Sequence, residues 1–161
     1  MCEEKSYRYK YNITTMKTSI ILTLLIITLG SCMYSGMDDD YTSIDPKLRP
    51  YLKLFIKEAS SRGIYVDTVN LKLVFGKSGK EGVTYYDTKT IIIDSTSYSW
   101  KHLPECLLMH EFGHLFLYRK HDDRLLQNGL PKSLMTSKAI PILYIENNMG
   151  YYFDELFTLH K

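Results

Sequence analysis

The residues best suited to chemistry are His110, Glu111, His114 and His121, all inside the mostly apolar stretch LLMHEFGHLFLYRKHD at 107–122. Imidazoles and a carboxylate in apolar surroundings cost free energy unless something pairs with them. His110 and His114 are four apart, so on a helix they share one face and lie one turn from each other, close enough for both rings to reach a single ion. Glu111 then points beside that ion, where a carboxylate can take a proton from an activated water. Zinc takes nitrogen ligands in tetrahedral geometry, and a catalytic site keeps one position open, which calls for a third protein ligand. His121 lies seven residues beyond His114; on an unbroken helix that is about 10 Å along the axis, too far to share the ion. His121 joins the other two only if the helix ends and the chain folds back just beyond residue 118. The plainer reading of HExxH is two ordinary half-buried histidines and a surface acid. A structural four-ligand zinc site has no use for an acid beside the ion, so Glu111 favours catalysis.

These residues need elements to hold them. The segment DPKLRPYLKLFIKEASSRG predicts a first amphipathic helix, with Asp45 as N-cap, Leu52, Leu54, Phe55 and Ala59 on its apolar stripe and Gly63 as its stop. Alternation of Leu71, Leu73 and Phe75 predicts a strand. Val83–Tyr86 and Thr90–Ile93 read as two more extended runs joined by a tight turn at Asp87, Thr88 and Lys89. A long helix from about Leu103 to Lys120 carries the histidines, a loop follows over Gln127–Ser137, and a last helix within Tyr144–Leu159 is weakened by Gly150. His102 and His160 have no partner pattern and read as solvated.

A chain of 161 residues suffices for one ordinary domain and no more, and 45% hydrophobic with 24% charged residues is a globular composition. Met16–Cys32 has a charged start, an apolar run of about a dozen residues and a small-residue exit, too short for roughly 30 Å of hydrocarbon and typical of a secretion signal. Residues 1–15 read as an upstream extension. Removing 1–31 takes away Lys5, Arg8, Lys10 and Lys17 against Glu3 and Glu4, which cancels the formal charge of +2. No basic field is left to attract nucleic acid or an anionic membrane surface. With Cys2 discarded and Cys32 at the exit of the signal, Cys106 stands alone in an apolar helix, so no disulfide framework is expected and Cys106 reads as a small core residue. The polar, acidic run MYSGMDDDYTS reads as a tether, giving an expected organisation of 1–31 as extension and signal, 32–44 as tether and 45–161 as the catalytic domain.

HEFGHLFLYRKHD resembles the long zinc-binding signature of the metzincin metallopeptidases, HExxHxxGxxH, in its matrixin-like branch, where Asp follows the third histidine as Asp122 does here. KSLMTS at 132–137 looks like the Met-turn of that family, which would set Met135 beneath the metal. The chain from Cys32 onward is similar to small metallopeptidase lipoproteins of Bacteroidetes, including NGLPKSLMTS and YYFDELF, and Leu29-Gly30-Ser31-Cys32 resembles a lipobox. Two departures stand out: the spacing from His114 to His121 is one residue longer, and Leu117 and Tyr118 stand where the family places its turning glycine. The resemblance implies an α+β fold, a small twisted mixed β-sheet with a backing helix and an active-site helix, plus a C-terminal subdomain with the Met-turn and last helix. It implies a zinc-dependent endopeptidase with Zn2+ on His110, His114 and His121 and Glu111 as general base. A protein or peptide substrate would lie along Gly82–Tyr86, with 137–144 walling the pocket. The chain is expected to be a monomer, secreted and lipid-anchored through Cys32 in a bacterial outer membrane or on the cell surface. Glu146 or Glu155 from a later helix, as in gluzincins, and Asp122 stay open as third ligands, and a non-catalytic zinc-containing surface lipoprotein stays open as the alternative function.

Overall fold

A computed structural model describes residues 43–158, which belong to one contact unit, Asp40–Lys161. The signal segment, Cys32, most of the tether and His160 lie outside the described residues. Ile44, assigned to the tether from sequence, is buried and bridges in parallel to Leu73.

Helix α1, Arg49–Ser61, buries Leu52, Phe55 and Ala59. It begins later than the expected cap at Asp45. Pro46, Lys47 and Leu48 instead form a turn in which Leu48 N–H donates to the Asp45 carbonyl at 2.9 Å and Lys47 N–H to the Asp45 carboxylate at 2.9 Å. Pro50 then falls in the first helical turn, where its missing N–H has no partner to lose. Gly63, at φ +72°, closes the other end: its N–H reaches Ser60 O and Ile64 N–H reaches Ala59 O, so two terminal carbonyls are satisfied by a residue with no Cβ to strain.

Among the described residues the sheet has three strands, β1 (Lys72–Phe75), β2 (Gly82–Tyr85) and β3 (Thr90–Ile93), in the order β1-β3-β2. β1 runs parallel to β3 and β2 antiparallel to it, in register Leu73↔Ile91↔Thr84. Leu73, Ile91 and Ile93 turn inward and are fully buried. The sheet is therefore mixed, and β2 is one of its edges.

A short helix α2, Tyr98–His102, is capped by Ser97, whose hydroxyl oxygen accepts from Trp100 N–H at 3.2 Å. Helix α3, Pro104–Leu117, packs against β2, α1 and α2. Its apolar face meets α1 through an aromatic cluster in which the Phe55 ring lies 5.2 Å from Phe112, 5.6 Å from Phe116 and 5.1 Å from Phe157. Burying each such ring contributes roughly 1.5–3 kcal/mol, so α3 is held as part of the core. It ends three residues before the expected Lys120. The expected single C-terminal helix is two, α4 (Ile142–Asn147) and α5 (Met149–Phe157). The break falls at Asn148, whose amide donates to Tyr144 O at 2.7 Å and competes with the backbone ladder, while Gly150 sits inside α5 without interrupting it. Among the described residues no helix is long and apolar enough to cross a membrane.

Candidate metal centre

Tyr118 terminates α3 in the left-handed conformation, φ +52° and ψ +28°. An L-residue with a large side chain pays roughly 1–2 kcal/mol for that conformation. The chain supplies compensation by donating Arg119 N–H to Gly113 O at 3.1 Å and turning back on itself. The reversal brings His121 to the pair on α3. His110 Nε2 lies 3.0 Å from His114 Nε2, and His121 Nε2 lies 3.2 Å from each.

The outer nitrogens fix which ring nitrogens this triangle turns inward. His110 Nδ1 is 2.7 Å from the Leu134 carbonyl and His114 Nδ1 is 2.6 Å from the Arg119 carbonyl. A carbonyl can only accept, so both Nδ1 atoms carry the proton, and in a neutral ring Nε2 is left with its lone pair. Two lone pairs 3.0 Å apart repel unless a positive charge sits between them. A proton is a poor occupant near neutral pH, because burial drives the His110 pKa down to about 4 and lowers that of His114. A tetrahedral cation with nitrogen ligands at about 2.0–2.1 Å sets those ligands about 3.3 Å apart, within a few tenths of an ångström of the observed edges. The three imidazoles lie close enough to hold one metal ion.

Glu111 reaches β2 from α3. Its Oε2 accepts from Thr84 Oγ1 at 2.7 Å. Its Oε1 occupies the space that a Cβ on Gly82 would fill, 2.6 Å from that position, so the strand needs glycine there to admit the carboxylate. Burial raises the Glu111 pKa, partly offset by the Thr84 hydroxyl. The same carboxylate, after burial, helps push up the Tyr86 phenol.

The carbonyl that orients His110 comes from a loop beneath the histidines. Ser133, Leu134, Met135 and Thr136 are all buried. Met135 Sδ lies 2.6 Å from where a Cβ on Gly113 would stand, with Leu156 Cδ1 at 2.9 Å, so sulfur and helix backbone touch only because residue 113 is glycine. Asp122 N–H donates to Met135 O at 2.9 Å and ties the segment bearing His121 to this loop.

The other sequence candidates are engaged elsewhere. The Asp122 carboxylate pairs with the Arg124 guanidinium at 2.6 and 2.8 Å, a contact that lowers its pKa to about 2. Glu155 is held by Arg119 and Ser133, each at 2.6 Å. Glu146 is exposed and belongs to no ligand cluster among the described residues. Cys106 lines the cleft, but burial pushes its thiol up to about 12, so it stays neutral. His102 is exposed against the Tyr98 ring, as expected of a solvated residue.

The histidines and Glu111 open into a cleft of about 710 Å³. Gly82, Val83 and Thr84 of the edge strand form one side, and Leu107, Leu134 and Ile140 give the other an apolar lining. Sequence reasoning missed Arg119, Thr84 and the close-approach glycines. Gly113 had a readable signal, a residue about 1 kcal/mol worse than alanine in mid-helix that must be there for space. No family model, curated protein or solved structure matches the chain.

Proposed function

We propose that the protein is a zinc-dependent endopeptidase acting on peptide segments outside the cytoplasm. The observation that supports it most is the placement of a buried carboxylate, Glu111, next to three convergent imidazole nitrogens at the foot of an open sheet edge. Imidazoles suit several late transition metals; zinc is chosen because the site offers three nitrogens with an acid left free of the ligand set. A zinc ion there supplies Lewis acidity, polarising a carbonyl and making water more acidic.

The chain's own groups do the rest. His110, His114 and His121 would hold the ion, the first two with rings fixed by carbonyls. Glu111 takes the proton of the attacking water at Oε1 and returns it to the departing amine nitrogen; Oε2, bonded to Thr84, anchors the carboxylate while Oε1 works. Its raised pKa brings it closer to neutrality, where a general base works best. β2, which among the described residues pairs with β3 alone, offers its other backbone edge to an extended substrate. The apolar side of the cleft receives a side chain beyond the scissile bond. Met135 serves as the Met-turn residue, and Cys32, at the lipobox-like exit of the signal, anchors the chain.

Metal analysis of the purified chain beside His121→Ala, Asp122→Ala and Glu146→Ala tests the ligand set: zinc is lost in the first and retained in the other two. Retained zinc in His121→Ala rejects the three-histidine site. On a mixed peptide library, Glu111→Gln keeps zinc but loses about 10²–10⁴-fold in turnover. No cleavage by the zinc-loaded parent would favour a binding protein instead.

A further inference from the structure

Resting on that zinc reading, we propose that Glu155, far along the chain in α5, is the positioning residue that holds both helical histidines in their ligating orientation, acting through Arg119 and Ser133. His110 and His114 are each oriented by one backbone carbonyl, that of Leu134 and that of Arg119. The two carbonyls lie on different segments, which Asp122 N–H to Met135 O at 2.9 Å and Arg119 Nη2 to Ser133 Oγ at 3.4 Å already tie together. Glu155 bonds to a residue of each at shorter distance. Its Oε1 accepts from Arg119 Nη2 at 2.6 Å and its Oε2 from Ser133 Oγ at 2.6 Å. Ser133 Oγ in turn accepts from Met135 N–H at 3.0 Å, which fixes the peptide carrying the Leu134 carbonyl. Arg119 Nη1 also donates to the carbonyls of Glu155 and Leu156 at 3.0 and 2.8 Å, so the arginine side chain stoppers the end of α5 while its own carbonyl faces His114.

This node is dry. The Arg119 side chain is 12% exposed, that of Glu155 8%, and Ser133 is fully buried. A planar guanidinium, a two-oxygen carboxylate and a hydroxyl in such surroundings allow few alternative arrangements, because each displaced group loses a bond that water cannot replace. The consequence is geometric: a shift of the Glu155 carboxylate moves the two carbonyls together and tilts both imidazoles. A residue 41 positions from His114 thereby controls a site it does not touch.

The test compares the full chain with Ser133→Ala and Glu155→Gln, and with Leu52→Val as a control that loosens the core in α1 without touching the node. Zn2+ affinity is measured by chelator competition. The exchange rates of the His110 and His114 Nδ1 protons are measured by NMR on metal-free protein. The expected result is a 10–100-fold loss of Zn2+ affinity in both node variants, with faster Nδ1 proton exchange, while the control stays within a few-fold of the parent. Ser133→Ala removes no charge and keeps the test valid if Glu155→Gln folds poorly. Node variants that bind Zn2+ as tightly as the parent, or a control that loses as much, overturn the proposal. Absence of Zn2+ binding by the parent sinks the metal reading itself, whereas unchanged Nδ1 exchange in the metal-free variants sinks the positioning role alone.

Discussion

The two halves of the candidate metal centre are held by opposite physics. Helix α3 supplies His110, Glu111 and His114, and its place is set by apolar packing of Phe112 against Phe55 and of Gly113 against Met135. The segment after Tyr118 supplies His121 and one of the two orienting carbonyls without regular secondary structure. Directed polar bonds hold it: Asp122 N–H to Met135 O, Lys132 N–H to Arg124 O, Asp123 to the backbone and hydroxyl of Ser137, and the Arg119 fork. Packing tolerates small rotations of a ring, whereas hydrogen bonds set angles. A site whose ligands must meet within a few tenths of an ångström draws its coarse placement from the first and its alignment from the second.

The largest effect should come from acid, which attacks the helical half. His110 has an ordinary pKa near 6.5 when unfolded and about 4 when folded. Its stabilising contribution is therefore complete above pH 6.5 and disappears as the pH falls through 4, since between those values the unfolded chain binds a proton the folded one excludes. Metal-free protein should lose roughly 3 kcal/mol across that window, and His110→Gln should flatten the slope of urea stability against pH. A flat profile in the parent would mean that the helical half is looser than its burial implies.

Gly113→Ala comes next. Helix propensity alone would favour alanine by about 1 kcal/mol; collision with Met135 and Leu156 should reverse the sign and destabilise by about 1–3 kcal/mol in chemical unfolding. Stabilisation would show that the loop yields to the helix. At the junction of the halves, Tyr118→Gly removes the left-handed strain from a residue that is 78% exposed. It should gain up to about 1 kcal/mol, less the entropy glycine adds to the unfolded chain. The smallest change concerns Thr84→Val, which deletes the hydroxyl that lowers the Glu111 pKa. The acid limb of the kcat/KM profile should move to higher pH with zinc content unchanged.

The helical half was legible in the sequence because its information is local. A four-residue spacing in an apolar run fixes a shared face, and the alternation at Leu71, Leu73 and Phe75 and the run at 90–93 fix the two paired strands β1 and β3. The turn could be read only as a requirement: His121 demanded a reversal near residue 118, yet nothing about Tyr118 announces a left-handed residue. Arg119 sits in a run of basic residues, Arg-Lys-His, that looks like solvated surface. Its burial depends on Glu155 and Ser133, 36 and 14 positions away, and single-chain periodicity carries no information about such partners. Glu155 itself was weighed as a metal ligand as an acid on a later helix, by analogy with gluzincins, and the structure gives that acid to an arginine instead.

The contact between Gly113 and Met135 carries a historical consequence. Because the sulfur occupies the volume a side chain at 113 would need, the two positions share one allotment of space. A lineage could enlarge the first only after trimming the second, and each step taken alone would weaken the fold. Descendants of this chain should thus exchange the pair jointly or leave both untouched, and a double variant, Gly113→Ala with Met135→Val, should tolerate what neither single change does.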